Sequence, residues 1–246
     1  MSENPGLGEQ AVNKAVEMGL SNQLDEVEYL DINIKAEPLN LVQGEVEAVS
    51  IDGEGLVMQQ ELRMEKIEME ISSVAINPLS AAFGKIELTK PTAGRALVVL
   101  TEEDINRAFN SEYIRSQLQS QKIRVDGQLM TVVPQNVEFR LPGDGKVALS
   151  ATLVLKESNE TRKISFSAIP RVSENGETVT LENVEYGDSQ EVSLELTKAL
   201  VDATSQILNL NNFDLEGINL RIKRLKMEIG KLILQAEAEV EQIPSA

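Results

Sequence analysis

Apolar and polar positions along the chain change period several times, and each change marks an element. Over residues 8–23, Ala11, Val12, Ala15, Val16, Met18 and Leu20 recur near helical spacing, which predicts an amphipathic opening helix. From Val27 to Ile76 the period drops to two: Leu30, Ile32 and Ile34 alternate with Asp31 and Asn33, and Leu62 and Met64 flank Arg63. Gly44, Gly53 and Gly55 punctuate these strands as turns or bulges. The apolar run Ala96 to Leu100 ends at Thr101-Glu102-Glu103-Asp104, a hydroxyl followed three positions later by an acid, close to a capping box. A helix is expected to begin there and carry Ile105, Phe109, Ile114 and Leu118 inward.

After Gly127 the two-residue period returns. Val147, Leu149, Ala151, Leu153 and Leu155 share one parity, followed by Ile164, Phe166 and Ala168. Glu157 to Thr161 and Glu174 to Glu177 read as hairpin turns, the second holding Asn175-Gly176, the dipeptide favoured in primed turns. A helix is expected at about 190–208, with Val192, Leu196, Ala199, Leu200, Ala203 and Ile207 inward. A last long strand is expected from about Leu215 to Val240. The order predicts α+β with an antiparallel sheet, and length favours a single domain over 1–246, with flexible tails at 1–7 and 242–246.

Two segments echo each other. LRMEKIEMEI (62–71) and LRIKRLKMEI (220–229) agree at five of ten positions. Each moves its apolar residues from even to odd positions at the same place, from Leu62 and Met64 to Ile67, Met69 and Ile71, and from Leu220 and Ile222 to Leu225, Met227 and Ile229. A one-residue slip along a strand that keeps one face buried implies a bulge or a sharp bend, so both strands are expected to curl around something apolar. Duplication of an ancestral unit and chance similarity of two amphipathic strands both account for the echo.

Composition narrows the chemistry. The 246 residues include no His, Cys or Trp, which removes disulfides, thiol catalysis and most transition-metal sites. Nucleophilic catalysis would have to rest on Ser with Lys, on Lys alone or on paired carboxylates, and no Lys has a Ser three positions before it. Tyr29, Tyr113 and Tyr186 have no spacing that brings them to a carboxylate or Lys. Gly6, Gly8 and Ala11 fit a relaxed dinucleotide fingerprint, but no strand precedes them. Glu65, Glu68 and Glu70, and Glu237, Glu239 and Glu241, are acid runs that read as solvated strand faces, since no loop has calcium-ligand spacing. The expectation is no enzyme, no metal and no cofactor.

Charge acts on the choice of partner. With 40 acidic and 23 basic residues the net charge is −17, which repels phosphate backbones, so nucleic acid is not an expected partner. The sign reverses locally at Arg221, Lys223, Arg224, Lys226 and Lys231, opposed within that stretch only by Glu228. That run is either a headgroup or acidic-partner contact, with peripheral membrane association as one form, or the polar face of an amphipathic strand. Met58, Met64, Met69 and Met227 lie in the strands with the phase slip, where flexible thioethers suit either a surface for varied apolar shapes or a core gap. No apolar run approaches the roughly 20 residues of a spanning helix, and the opening MSENPGLGEQ has neither a basic flank nor an apolar stretch. The expected location is therefore cytoplasmic; oligomeric state is not readable.

The segment PTAGRALVVLTEEDINRAFNSEYI (91–114), together with PLNLVQGEVEAVSIDGEGLVMQQELRMEKIEMEI (38–71), resembles the LmeA-type phospholipid-binding family, formerly a domain of unknown function, and especially its cyanobacterial branch. The marks are Leu41-Val42-Gln43-Gly44, the step Gly53-Glu54-Gly55-Leu56-Val57, and Leu100 to Asn106 at the start of the middle helix. The resemblance implies a long curved antiparallel sheet wrapped around one or more helices, similar to tubular lipid-binding proteins, with an apolar groove for acyl chains. It brings no catalytic residues. Many relatives begin with an exporting or anchoring apolar segment, and this sequence departs from that pattern.

The expected function is non-enzymatic binding of a lipid or similarly long apolar ligand; the alternative is a protein-interaction scaffold with a closed core. Leu62, Met64, Ile105, Phe109, Leu220 and Ile222 are the expected lining, since they belong to the slipped strands and the middle helix. Arg221, Lys223, Arg224 and Lys226 are the expected headgroup or partner contacts.

Overall fold

The computed structural model describes residues 24–37, 39–40, 43–58, 61–77, 87–112, 122–125, 128–187, 194, 196–198, 201 and 218–241. The expected opening helix, most of the helix at 190–208, and both tails lie outside them.

Alternating sequence makes strands, and the described chain is mostly antiparallel β. One sheet has six strands in the order β1 (Tyr29–Lys35), β2 (Glu45–Met58), β3 (Leu62–Ala75), β4 (Thr92–Thr101), β11 (Lys231–Val240) and β10 (Ile218–Glu228). The other is a meander of β5 (Lys122–Val125), β6 (Gln128–Gly143), β7 (Lys146–Leu155), β8 (Glu160–Val172) and β9 (Val179–Tyr186). Between β4 and β5 stands helix α1 (Glu102–Asn110). Two antiparallel sheets with α1 at their junction replace the single sheet wrapped around a helix, and neither sheet is strongly curled. No described helix is long and apolar enough to cross a membrane.

The start of α1 follows its sequence closely. Thr101 is the N-cap; its hydroxyl accepts from the Asp104 backbone N–H, and the Asp104 carboxylate accepts from the Thr101 backbone N–H, completing the capping box. Glu102, Glu103 and Asp104 in the first turn also suit the positive end of the helix dipole. Ile105 is buried and Phe109 partly so, as expected; Ile114 and Leu118 lie outside the described residues.

Burial along β7 and β8 matches the predicted parity, with Val147, Ala151, Leu153, Leu155, Ile164, Phe166 and Ala168 all buried. Leu196 joins Leu153, Leu155 and Ile164 in a core on this sheet. A second core fills the junction, where Ile105 and Phe109 meet Leu141, Val147, Phe166 and Val201 from one side and Leu100, Met227 and Leu232 from the other. A third, Ile32, Ile34, Ala36 and Val46, closes the β1 end of the larger sheet.

Several strand-level expectations change. The last long strand is a hairpin: Glu228 pairs with Lys231, and the chain reverses through Ile229 and Gly230, whose φ of +70° suits glycine. Ile229 therefore points away from the core and is 81% exposed. Of the two expected bulges, the one in 220–229 is present, a register shift between Ile222 and Arg224 that leaves Lys223 as the extra residue. The other is absent: β3 pairs with β2 and β4 without a shift. Its change of phase, between Met64 and Ile67, stands across from Gly55, which has a φ of +59°. A side chain at Gly53 would meet those of both Leu56 and Ile67, so Gly53 and Leu56 share a face despite opposite parity and the slip is taken up in β2. At Asn175-Gly176 only Gly176 has a positive φ. The connection is accordingly a wider loop closed by Ser173 N–H to the Thr178 carbonyl, rather than a two-residue primed turn.

Candidate functional site

Strand register aligns the apolar residues of the six-stranded sheet into lateral rows. One row runs Leu30, Gly53, Ile67, Val98, Leu234, Leu225 from β1 to β10. The next runs Ile32, Ile51, Met69, Ala96, Ala236, Ile222, and a third runs Ile34, Val49, Ile71, Gly94, Ala238, Leu220. The bulge at Lys223 makes this possible: in unbroken alternation Leu225, three residues on, would stand on the opposite face from Ile222.

The rows are unevenly covered. Their β1 end belongs to the third core and their lower corner, at Leu100, Leu225 and Leu232, to the junction core. Between them Ile67, Met69, Ile71, Ala96, Val98, Leu234 and Ala236 are half-buried and belong to none of the three buried clusters. Side-chain size also dips in the middle. Gly94 and Ala96 on β4, with Ala236 and Ala238 on β11, stand between the longer Met69 and Ile71 on one side and Ile222 on the other.

The opposite face is charged. It carries two open depressions of about 420 and 430 Å³, walled by Glu70, Arg95, Arg221 and Glu239 in one and by Asp52, Glu68, Lys223 and Gln235 in the other. Such walls suit water and ions, whereas burying an alkyl chain gains free energy only against apolar surface.

The six expected lining residues fall in three places. Ile222 and Leu220 stand on β10 at the end of the apolar rows. Ile105 and Phe109 are in the junction core, where the Phe109 ring stacks on Phe139 with centroids 6.0 Å apart. Leu62 and Met64 are half-buried at the start of β3, paired with Met58 and Leu56. Of the four basic residues, Lys223 pairs with Glu237 at 2.9 Å and Lys226 with Glu228, whose carboxyl is thereby held below its usual range. Arg221 and Arg224 have no ion pair among the described residues. The small residues at the centre of the rows were not among the expected lining; their signal was the alternation Gly94-x-Ala96 and Ala236-x-Ala238.

A polar ladder holds the junction beside this face. Glu102, Asn106 and Asn110 are spaced four apart on α1 and reach successive alternate residues of β6. The Leu141 N–H donates to Glu102 Oε2 at 2.7 Å. The Phe139 N–H donates to Asn106 Oδ1 at 2.7 Å, and Asn106 Nδ2 donates back to the Phe139 carbonyl at 2.8 Å. Asn110 Nδ2 donates to the Val137 carbonyl at 2.9 Å. Four helical residues rise about 6.0 Å and two strand residues about 6.7 Å, so the spacings match. The helix thus satisfies an edge of β6 as a neighbouring strand would, which removes an open pairing edge.

Arg63 fastens α1 to the larger sheet. Its guanidinium donates to Asp104 Oδ1, Glu65 and Glu28, each at 2.9 Å, and these bonds, the one to Asp104 foremost, raise its pKa. Asp104 is only 3% exposed, so its charge depends on this partner.

No curated protein and no solved structure matches the chain. The family model of LmeA-like phospholipid-binding proteins matches residues 5–237, nearly the whole length. Matched over nearly its whole length, the chain belongs to the LmeA-like phospholipid-binding family.

Proposed function

We propose that this protein is a non-catalytic carrier of phospholipid, and that the acyl chains lie on the apolar face of the six-stranded sheet over Ala96 and Ala236, between Met69 and Ile222. The observation that carries this reading is the half-buried stretch of that face left between the junction core and the β1 core. The family supplies the ligand class. Each methylene moved from water onto such a surface contributes about 0.8 kcal/mol, so a single acyl chain gives useful affinity without any ionic contact. Flexible Met69 suits a surface that accepts chains of varied length and saturation.

The test is organic extraction and lipid mass spectrometry of protein purified without detergent, for the wild type and for Ala96→Leu with Ala236→Leu. The wild type is expected to yield stoichiometric phospholipid. The double variant fills the floor with side chains and is expected to lose about ten times or more of that lipid while melting no lower, since two added isobutyl groups remove room worth several methylenes. A lipid-free wild type, or a double variant that retains its lipid, overturns the proposal; the first result favours a scaffold with a closed core.

A further inference from the structure

The charged face of the same sheet carries a pattern that is complementary to itself. One lateral row reads Glu70, Arg95, Glu237, Arg221 from β3 through β4 and β11 to β10, so its signs alternate. Laid in reverse over itself, every position meets the opposite sign. The next row reads Glu68, Leu97, Gln235, Arg224, again with an acid at one end and a base at the other. The third reads Lys66, Val99, Ile233, Lys226, with an apolar pair at its centre. Its two ammonium groups are each bound to a carboxylate, Glu68 and Glu228.

These rows are open on their outer side. Glu70, Arg95, Glu237 and Arg221 are all exposed. Glu70, Arg95, Arg221 and Arg224 form no ion pair among the described residues, although Glu70 and Arg95 are direct cross-strand neighbours. Leu97, Val99 and Ile233 are half-buried and pack against none of the three buried clusters. The remaining charges keep the same polarity across the sheet. Asp31, Asp52 and Glu54 extend the acidic side toward the β1 edge, where Lys35 is bound to Glu47. Lys223 adds to the basic β10 edge, bound to Glu237.

We infer that this face pairs with the same face of a second copy of the chain, about a two-fold axis that runs parallel to the strands between β4 and β11. Such an axis exchanges β4 with β11 and β3 with β10 and lays each row over itself in reverse. Arg95 then stands over the copy's Glu237, Glu70 over its Arg221 and Glu68 over its Arg224, and symmetry makes each contact twice. Val99 and Ile233 cover one another at the centre and take apolar surface out of water. Glu239 falls over the copy's Ala93 and Lys231 over its Thr101, both neutral partners. Lys66 over Lys226 is the like-charged match, and each brings its own carboxylate. An axis across the strands, through the middle row, would instead set Glu68 against Glu68 and Arg221 against Lys226. Packed sheets keep their strands within about 30° of each other, so the rows superpose best near the axis, where Arg95 and Glu237 stand. Four strands overlapping over the ten residues of β4 and β11 cover about 650 Å² in projection. Long side chains expose more than their projection, which approaches the roughly 800 Å² per partner of a standard interface. A net charge of −17 on each chain opposes self-association at long range, and matched rows offset it at contact. Both apolar faces stay outward, so the pairing neither needs nor blocks the carriage of lipid.

The experiment is sedimentation equilibrium of the full chain and of two charge-reversed variants, separately and mixed. The wild type is expected at twice its 27.0 kDa at micromolar concentration. Arg95→Glu sets carboxylate over carboxylate in both copies of the contact, and Glu237→Arg sets guanidinium over guanidinium. Each variant alone is expected to bind its own copy about tenfold more weakly or worse, with unchanged far-ultraviolet dichroism. In an equimolar mixture both contacts are again between opposite charges, so a heterodimer of about wild-type affinity is expected. A purely local defect in either chain would not be cured by mixing. The floor-filled variant Ala96→Leu with Ala236→Leu acts on the opposite face and is expected to dimerise as the wild type does, which separates this pairing from the carrier reading. A monomeric wild type, variants that dimerise as tightly as the wild type, or a mixture that fails to pair overturns the proposal. The first of these leaves the face to water or to another protein, and the wild-type mass decides even if a variant folds poorly.

Discussion

Asn106 and Phe139 are joined as two paired strands would be. The side-chain amide of Asn106 gives one hydrogen bond to the Phe139 carbonyl and accepts one from its N–H. One side chain of a helix thereby replaces a backbone peptide unit, and Glu102 and Asn110 continue the pattern to Leu141 and Val137.

Replacing Asn106 by Ala leaves both backbone groups of Phe139 without these partners in a part-buried site. The expected loss is about 1–3 kcal/mol, or several degrees in melting temperature, measured by thermal or urea unfolding. Asn106→Asp should restore the acceptor for the Phe139 N–H and place a carboxylate against its carbonyl, giving no more than partial rescue.

Arg63 neutralises a carboxylate that solvent scarcely reaches. Arg63→Ala strands the Asp104 charge and is expected to cost about 3 kcal/mol, while the joint change Arg63→Met with Asp104→Asn should cost less than the single one. A double-mutant cycle by denaturant unfolding checks this, and equal costs would refute the dependence of Asp104 on Arg63.

Lys223 is the extra residue of β10. Deleting it would remove the bulge and leave Ile222, Arg224 and Leu225 in regular alternation, so that Leu225 and Met227 keep both their partners on β11 and their apolar face. Near-ultraviolet dichroism is expected to survive the deletion, with a loss of about 1–3 kcal/mol in denaturant unfolding, whereas Lys223→Ser, which keeps the extra residue, should unfold within about 0.5 kcal/mol of the wild type.

Gly176 accepts a hydrogen bond at its carbonyl from the Ile222 N–H, 2.8 Å away, and thereby ties the β8–β9 loop to the bulge. Its φ is +76° and an added methyl group would stand 2.7 Å from the Ile222 carbonyl oxygen. Gly176→Ala should therefore destabilise by about 1–3 kcal/mol in the same unfolding measurement and accelerate amide exchange along β10.

Glu157 gives a dependence on pH. Its carboxylate accepts from the Thr131 hydroxyl and the Thr131 N–H, both at 2.7 Å, and these bonds hold its pKa below the usual glutamate value. A depressed folded-state pKa adds stability that is complete above the unfolded value of about 4.3 and fades as pH falls through the lower folded value. Glu157→Gln should accordingly flatten the fall in melting temperature between neutral pH and acid pH, and an unchanged profile would refute the contribution.

Local chemistry sufficed wherever a residue's neighbours in sequence are its neighbours in space. Alternation along β1, β7 and β8, the Thr101–Asp104 cap and the burial of Ile105 were legible because strand parity and helix capping act within a few residues. The slip in 220–229 was legible for the same reason, since a backbone bulge is the local answer to a change of phase. Other features depend on which strands become neighbours. The echo segment 62–71 has the same sequence phase but no register shift, because Gly55 on the partner strand absorbs it. Ala96 and Ala236 read as unremarkable alanines until β4 and β11, far apart in the chain, pair and set them side by side between Met69 and Ile222. Asn106 reads as a poor helix former until β6 arrives with an edge to satisfy. Sequence determined which residues could face inward; the choice of two sheets, and of which apolar face stays half-covered, came only from long-range pairing, where each residue's environment is supplied by distant chain.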